Sequence, residues 1–159
     1  MTGIDIHRKL ARQAHGETWE LLEKKERTHD ESAAMIEAAH VSSYHWRAAG
    51  NGLNWQRAEW LLARVYSTLG MGERALFHAE RCRRLTDEHA TLMEDFDLPF
   101  ALEGLARAHA AAGEATAAVD YFKQAEAAGQ RIKDVEDRNY FLLDLRSGQW
   151  FGVLPDPQG

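Results

Sequence analysis

The residues best suited to chemistry are the histidines, eight in all, several of them one helical turn from an acidic residue or a thiol. Glu37 and His40 form a Glu-x-x-His spacing, and Glu26 and His29 form a second. Two such motifs with two further glutamates on facing helices bind a metal pair. The second motif meets a predicted helix break, and the two would lie roughly 9 Å apart along the hairpin. We therefore expect a hydrogen-bonded polar strip here, with metal binding by Glu37 and His40 as the weaker alternative.

Two further histidines have packing explanations. His78 and Cys82 lie one turn apart and could supply two metal ligands, but Cys82 occupies a position where a small residue recurs. His109 takes the place of a packing tyrosine, so we expect a partly buried histidine with a hydrogen-bond partner. A second hypothesis is a small-molecule or metal-binding protein, or an enzyme, with a polar pocket between long helices. Its lining would be Glu37, His40, Tyr44, Arg64 and His109.

The sequence offers no familiar catalytic or cofactor-binding motif in the structural context that such a motif requires. The segment 70–75 imitates a dinucleotide-binding fingerprint, but it joins two predicted helices, whereas the true motif follows a strand. Nucleophile-elbow, zinc-protease and phosphate-loop sequences do not occur. The basic run 81–84 has acidic residues within about one turn and is typical of exposed pairs. The sequence thus predicts no catalytic residue and no cofactor.

Composition narrows the classes of partner. The net charge of −6 argues against a broad nucleic-acid interface, which needs a basic surface. The single cysteine excludes an internal disulfide, and no apolar run is long enough to predict a membrane span. Residues 1–10 carry charges throughout, unlike a signal peptide. We expect a cytoplasmic protein that contacts neither nucleic acid nor membrane.

The elements that must position these residues are helices. Alanine, leucine, glutamate and arginine dominate, and all favour helices. Glycines and capping residues divide the chain into predicted helices at about 4–27, 30–49, 54–69, 72–93, 97–112, up to 128, and 133–146. Asp30 is the predicted cap of the second helix, and Pro99 suits the first turn of the fifth. We expect one domain over residues 1–147 and a tail over 148–159.

An internal repeat connects these helices. The segment 60–66, the pair Leu69-Gly70 and the small residues Ala75, Ala79 and Cys82 recur further along the chain without a gap. The second copy reads 103–109, Ala112-Gly113, Ala118, Phe122 and Ala125. A weaker copy precedes both, with Trp19 at the position of Trp60. Small residues recur where two helices must approach closely.

This pattern resembles the tetratricopeptide repeat over roughly residues 16–130, with a period of about 41 to 43 residues in place of the usual length of about 34. The first copy departs from it, with Lys25 where Tyr66 stands in the second. The longer period indicates second helices with about two extra turns. The resemblance implies an all-α right-handed superhelix of about three helical hairpins plus a C-terminal capping helix. The capping helix would present Tyr140, Phe141, Leu142 and Leu145.

The resemblance also implies a site, because the first helix of each hairpin lines a concave groove in this family. The positions that match the groove carry arginine and aromatic side chains: Trp19, Arg57, Trp60, Arg64, Phe100, Glu103 and Arg107. Arginine forks carboxylates and tryptophan supplies contact area. We expect a non-catalytic module that binds a protein or peptide, with an acidic or carboxylate end as one candidate partner group.

Four alternatives stay open at this point. Arg64, Glu103 and Arg107 could pair with one another between helices, and both groove tryptophans could be buried between hairpins. The apolar tail around Trp150 and Phe151 either folds back over the last hairpin, which we favour, or enters another copy to make a homodimer. The chain could also be a purely structural, self-assembling unit.

Overall fold

A computed structural model describes residues 1–154 of the chain, and within them it contains only helices, turns and irregular segments. The α-helices are α1 (Gly3–Leu22), α2 (His29–Ala49), α3 (Gly52–Thr68), α4 (Gly72–Glu88), α5 (Asp97–Ala111), α6 (Ala115–Gly129) and α7 (Val135–Leu145). A short 3₁₀ turn, Ala90–Leu92, lies between α4 and α5. The all-α prediction is confirmed.

The helices pack mainly as sequential pairs. The closest pairs are α1 with α2, α3 with α4 and α5 with α6, and α3 also packs against α5. One buried cluster joins the first two pairs around Met35, Leu62 and Tyr66, and it extends to Leu105 of α5. A second cluster joins α5, α6 and α7 around Phe122 and Phe141. The odd-numbered helices are thereby brought side by side, which positions the site described below.

The recurring small residues lie where helices touch. Ala75 and Ala79 of α4 and Ala118 and Ala125 of α6 are fully buried. Gly72 is the tightest case: a Cβ atom there would lie 2.4 Å from the backbone of Ala112. Gly72 therefore serves close helix packing, whereas Gly70 adopts a left-handed backbone conformation with a φ of 73°. These two structural roles explain the false dinucleotide fingerprint.

Two predicted helix boundaries were wrong. The first helix ends at Leu22 instead of Arg27, and the Arg27 guanidinium donates to the carbonyls of Leu21, Leu22 and Lys24. These donors satisfy the free carbonyls at the end of α1. The fourth helix ends at Glu88 instead of Met93, so part of the long repeat period is taken up by the 3₁₀ turn and the loop that follows.

The second helix also begins differently. Thr28, not Asp30, is its N-cap: the Thr28 side chain accepts from the Glu31 backbone, and the Glu31 carboxylate accepts from the Thr28 backbone at 3.1 Å. This reciprocal arrangement satisfies two helix-end donors at once, whereas a cap at Asp30 would satisfy fewer.

The tail folds back as far as it is described. Trp150 is 6% exposed, packs against Phe122 and donates its indole N–H to the Leu145 carbonyl at 3.1 Å. The Arg107 guanidinium lies 4.4 Å from the Trp150 ring centre. Residues 155–159 of the predicted tail lie outside the described residues. Trp150 is therefore occupied within its own chain.

Candidate functional site

Four aromatic side chains, one from each odd-numbered helix, form a row that we call the aromatic ladder: Trp19, Trp60, Phe100 and Tyr140. Trp19 and Trp60 stack with ring centres 5.9 Å apart, and Phe100 meets Trp60 edge-on at 5.4 Å. Tyr140 continues the row at 6.5 Å from Phe100. The first three rings are half-buried and Tyr140 is 63% exposed. The ladder is thus a partly open apolar surface.

A cleft of about 240 Å³ opens beside this ladder, and we call it the aromatic cleft. Besides the four ladder rings, its lining consists of His15, Gln56, Arg57, Phe96, Asp97 and Asp144. Gln56 is 1% exposed and forms the buried floor. Burial lowers the pKa of His15, which favours its neutral form. The cleft is therefore mostly aromatic, with a few polar atoms at its edge and floor.

Glu103 is the centre of an ion-pair network beneath the ladder. Its carboxylate is completely buried and accepts from the Trp60 indole N–H at 3.0 Å. It also accepts from Arg64 at 2.7 Å and from Arg107 at 2.8 Å. Charged groups buried this deeply are tolerated only when they are paired and hydrogen-bonded. Glu103 thus fixes the Trp60 ring and neutralises charge from two helices.

Asp144 of α7 completes the network. Its carboxylate accepts two hydrogen bonds from Arg64, at 3.1 and 3.2 Å, and its backbone carbonyl accepts from Arg107 at 2.8 Å. Burial alone would lower the pKa of Arg64, but Glu103 and Asp144 outweigh it and raise that pKa. At Arg107, burial wins and lowers the pKa despite Glu103. The network ties α3, α5 and α7 together.

Arg57 and Asp97 form a third ion pair. It donates to both carboxylate oxygens of Asp97, at 3.0 and 3.1 Å, and its guanidinium lies 5.3 Å from the Phe96 ring centre. The Arg57 side chain is 43% exposed, while that of Asp97 is 4% exposed. Such a two-pronged pair is geometrically specific. Arg57 is the most accessible of the three groove arginines, and it too has a carboxylate partner.

These contacts revise the predicted groove. The structure brings all seven predicted residues to one region, where Arg64 and Arg107 are 13% and 3% exposed and lie along a second cleft of about 260 Å³. The two arginines are therefore less accessible than expected, because Glu103 and Asp144 already satisfy them, and ligand binding by them stays a prediction. The alternative of internal ion pairs describes them correctly. Trp19 and Trp60 are half-buried, so they are neither fully accessible in the groove nor fully buried between hairpins.

Sequence reasoning missed several members of the site. Tyr140 was assigned only to a capping helix, and Gln56, Asp97 and Asp144 were not assigned to the groove. One signal was present: the four ladder residues are spaced almost evenly along the chain, at intervals close to the repeat period. The partnership of Arg64 with Asp144 left no local pattern, because the two residues are far apart in the sequence.

The histidine-rich region is a separate polar cluster. His40 Nε2 lies 2.7 Å from the Tyr66 hydroxyl, and His78 Nδ1 lies 2.6 Å from Glu59, which also accepts from Arg81 at 3.0 Å. Burial raises the pKa of Glu59, but the bonds from His78 and Arg81 outweigh it and leave that pKa below its usual value. Burial, with His78 as a second cause, lowers the pKa of His40. The cluster matches the predicted hydrogen-bonded strip at His40.

Metal ligation by Glu37 and His40 has no geometric support. Across residues 1–154, no group of three or more histidine, cysteine, aspartate or glutamate side chains is arranged to hold a metal ion. Glu37 is exposed, and His40 is engaged with Tyr66. Cys82 is buried, as expected for a packing residue, and burial raises the pKa of its thiol.

The proposed polar pocket does not assemble either. His109 is partly buried and bonded to Glu114 at 2.7 Å, which confirms its predicted packing role. Tyr44 is 62% exposed, and Arg64 belongs to the Glu103 network. Each of these residues has its own partner or faces solvent, so the residues do not line a common pocket.

Comparison with protein-family models, with curated proteins and with solved structures yields no match to this chain. The resemblance to the tetratricopeptide repeat therefore rests on the chain's own residues. As for membranes, none of the helices within residues 1–154 combines the length and the apolar composition needed to cross one.

Proposed function

We propose that this chain is a tetratricopeptide-like interaction module of the cytoplasm, folded as a right-handed superhelix, that binds a segment of a partner protein. The segment lies across the odd-numbered helices and inserts an apolar side chain into the aromatic cleft. The observation that carries this proposal is the aromatic ladder, which crosses four successive odd-numbered helices and stays partly open. Aromatic surface of this kind is typical of interface hot spots.

Preorganisation supports the proposal. The Trp60 ring is held by its hydrogen bond to Glu103 and by contacts with Trp19 and Phe100. A partner would not have to order these side chains on binding, which removes part of the entropic cost of association. The buried ion pairs beneath the ladder thus serve binding indirectly, by fixing the surface.

The pairing of charged side chains around the cleft favours an apolar contact group on the partner over a carboxylate end. Arg57, Arg64 and Arg107 are each paired with an acid of the same chain. A carboxylate ligand would have to displace Asp97 from Arg57 and would gain little in exchange. We therefore place the energetic centre of binding on the ladder rings, and we keep a partner carboxylate as the alternative for the test to decide.

The test is a selection of peptides from a random phage-displayed library on the purified protein, followed by calorimetric Kd measurements. We expect Tyr140→Ala to weaken binding of the selected peptides about tenfold, the size of a hot-spot contact. Tyr140 is suited to this test because its exposed ring contributes little to the core. Trp60→Ala, checked for folding by circular dichroism, should have a larger effect.

The matched control is Phe77→Ala, which removes an aromatic ring that is 59% exposed on α4, away from the cleft. It should change Kd less than twofold. Failure of any peptide to enrich, or equal effects of Tyr140→Ala and Phe77→Ala, would contradict the proposal. Peptides that lose binding when their C-terminal carboxylate is amidated would instead favour recognition by Arg57.

A further inference from the structure

Gln56 lies at the floor of the aromatic cleft, and its side chain has one buried polar atom without a hydrogen-bond partner. Its side chain is buried, it lines the cleft, and its Oε1 makes no hydrogen bond. A buried acceptor left unsatisfied costs free energy, and such groups are rare in folded proteins. An unpaired acceptor in the lining of a cleft that we propose to bind a ligand indicates that the ligand should carry a hydrogen-bond donor.

The orientation of the Gln56 amide is fixed by its neighbours. Its Nε2 donates to Thr86 Oγ1 at 3.0 Å and to the Asp97 carbonyl at 3.4 Å. The Thr86 hydroxyl donates its own proton to the Cys82 carbonyl at 2.7 Å, so it can only accept from Gln56. Flipping the amide, so that its oxygen and nitrogen exchange places, would set the oxygen against two acceptors. The amide oxygen is therefore the atom of this cleft-lining side chain that has an unused hydrogen-bond acceptor.

Resting on the proposed function, we infer that the inserted side chain is an aromatic ring that carries a hydrogen-bond donor, as the indole of tryptophan does. The ring would contact the ladder, and its N–H would donate to Gln56 Oε1. Complementarity to a buried acceptor selects strongly for a donor, because an analogue without one leaves the acceptor unpaired.

A lysine ammonium is a poorer fit than an indole. Aromatic rings attract cations, but the acids near the cleft already have cationic partners. Asp97 is paired with Arg57, and Asp144 with Arg64. The Arg57 guanidinium itself lines the cleft and would repel a second cation. A neutral ring with an N–H group satisfies both the rings and the acceptor without a charge conflict.

The experiment compares two probes that differ only in the donor: N-acetyl-tryptophan amide and N-acetyl-3-benzothienylalanine amide, in which sulfur replaces the indole N–H. Each is titrated into the ¹⁵N-labelled protein, and Kd is read from the indole N–H signals of Trp19 and Trp60. We expect both probes to shift these signals and the indole to bind about tenfold more tightly. Equal affinities, or no shift with either probe, would overturn the inference.

The variant Gln56→Met keeps the length of the side chain and removes the acceptor. In it, the preference for indole should fall to less than twofold while the benzothienyl probe still binds. If the variant does not fold, the ratio of the two probes on the wild-type protein still decides. If phage-selected peptides bind in a Tyr140-dependent way while the two probes show no difference, the donor is wrong but the proposed function stands. If neither peptides nor probes bind, both fail.

Discussion

At the scale of single residues, Glu103 is the buried acid on which the ion-pair network is centred. A fully buried carboxylate receives donors from Trp60, Arg64 and Arg107, which belong to two different helices. The spacing of Glu103 and Arg107, four positions apart on one helix, made their pairing predictable. The contribution of Trp60 and the second acid, Asp144, was not, because both depend on how neighbouring helices are placed.

Replacing this carboxylate should be costly. We expect Glu103→Gln to lower the free energy of unfolding by about 3 kcal/mol, because two buried guanidinium groups lose their shared counter-charge. Urea unfolding followed by circular dichroism measures this. The control Glu80→Gln alters an exposed glutamate of α4 and should change stability by less than about 0.5 kcal/mol. Similar values for the two variants would show that the network adds no stability.

At the scale of elements, helix ends were less predictable than helix interiors. Seven helices were expected, and seven are present within residues 1–154. The errors concern ends, where several residues could serve as caps. Thr28 and Asp30 are both good capping residues. The choice of Thr28 follows from Glu31 three positions later, which completes the reciprocal pair, and this signal was available in the sequence.

The cap of α2 provides a test at this scale. Thr28→Ala should lower the free energy of unfolding by about 1 kcal/mol, because the Glu31 backbone N–H loses its acceptor. Thermal and urea unfolding would both detect this. Thr116→Ala is the matched control, since Thr116 is exposed near the start of α6 and makes no capping bond. If Thr28→Ala is as mild as the control, Asp30 has taken over the cap.

At the scale of the whole molecule, the segment after α7 closes the end of the helix stack. Trp150 covers Phe122, reaches the Leu145 carbonyl and faces Arg107. The last helix thus receives cover from residues that follow it, and Arg107 receives an aromatic neighbour in place of water. A homodimer stays a prediction, but one that would have to use surfaces other than Trp150.

Removing Trp150 should destabilise the helix that it covers. We expect Trp150→Ala to lower the free energy of unfolding by about 3 kcal/mol and to speed hydrogen exchange in α7, because a buried aromatic ring is lost. Phe151→Ala is the comparison: the Phe151 side chain is 39% exposed, so the loss should stay below about 1 kcal/mol. A tail that contributed nothing would give two equally stable variants.

The helical class, the approximate helices and the residues that pack between them are predictable from the sequence alone. These depend on local propensity, on glycine and capping residues, and on a repeat that places alanines at contacts such as Ala75 and Ala118. Cys82 and His109 were assigned correctly for the same reason. Each of these features is expressed within a single helix or turn, so one stretch of sequence contains the information.

Which groove residues are accessible depends on the tertiary structure and was not predictable from the sequence. A helical pattern says which face a residue occupies, but it does not say which partner lies opposite on the next helix. Arg64 meets Asp144 from a distant part of the chain as well as Glu103 of α5, and these two contacts place a predicted ligand-binding arginine in an internal ion-pair network. The same helix packing sets Phe100 beside Trp60 and Tyr140 beside Phe100, and it leaves Gln56 Oε1 without a hydrogen-bond partner.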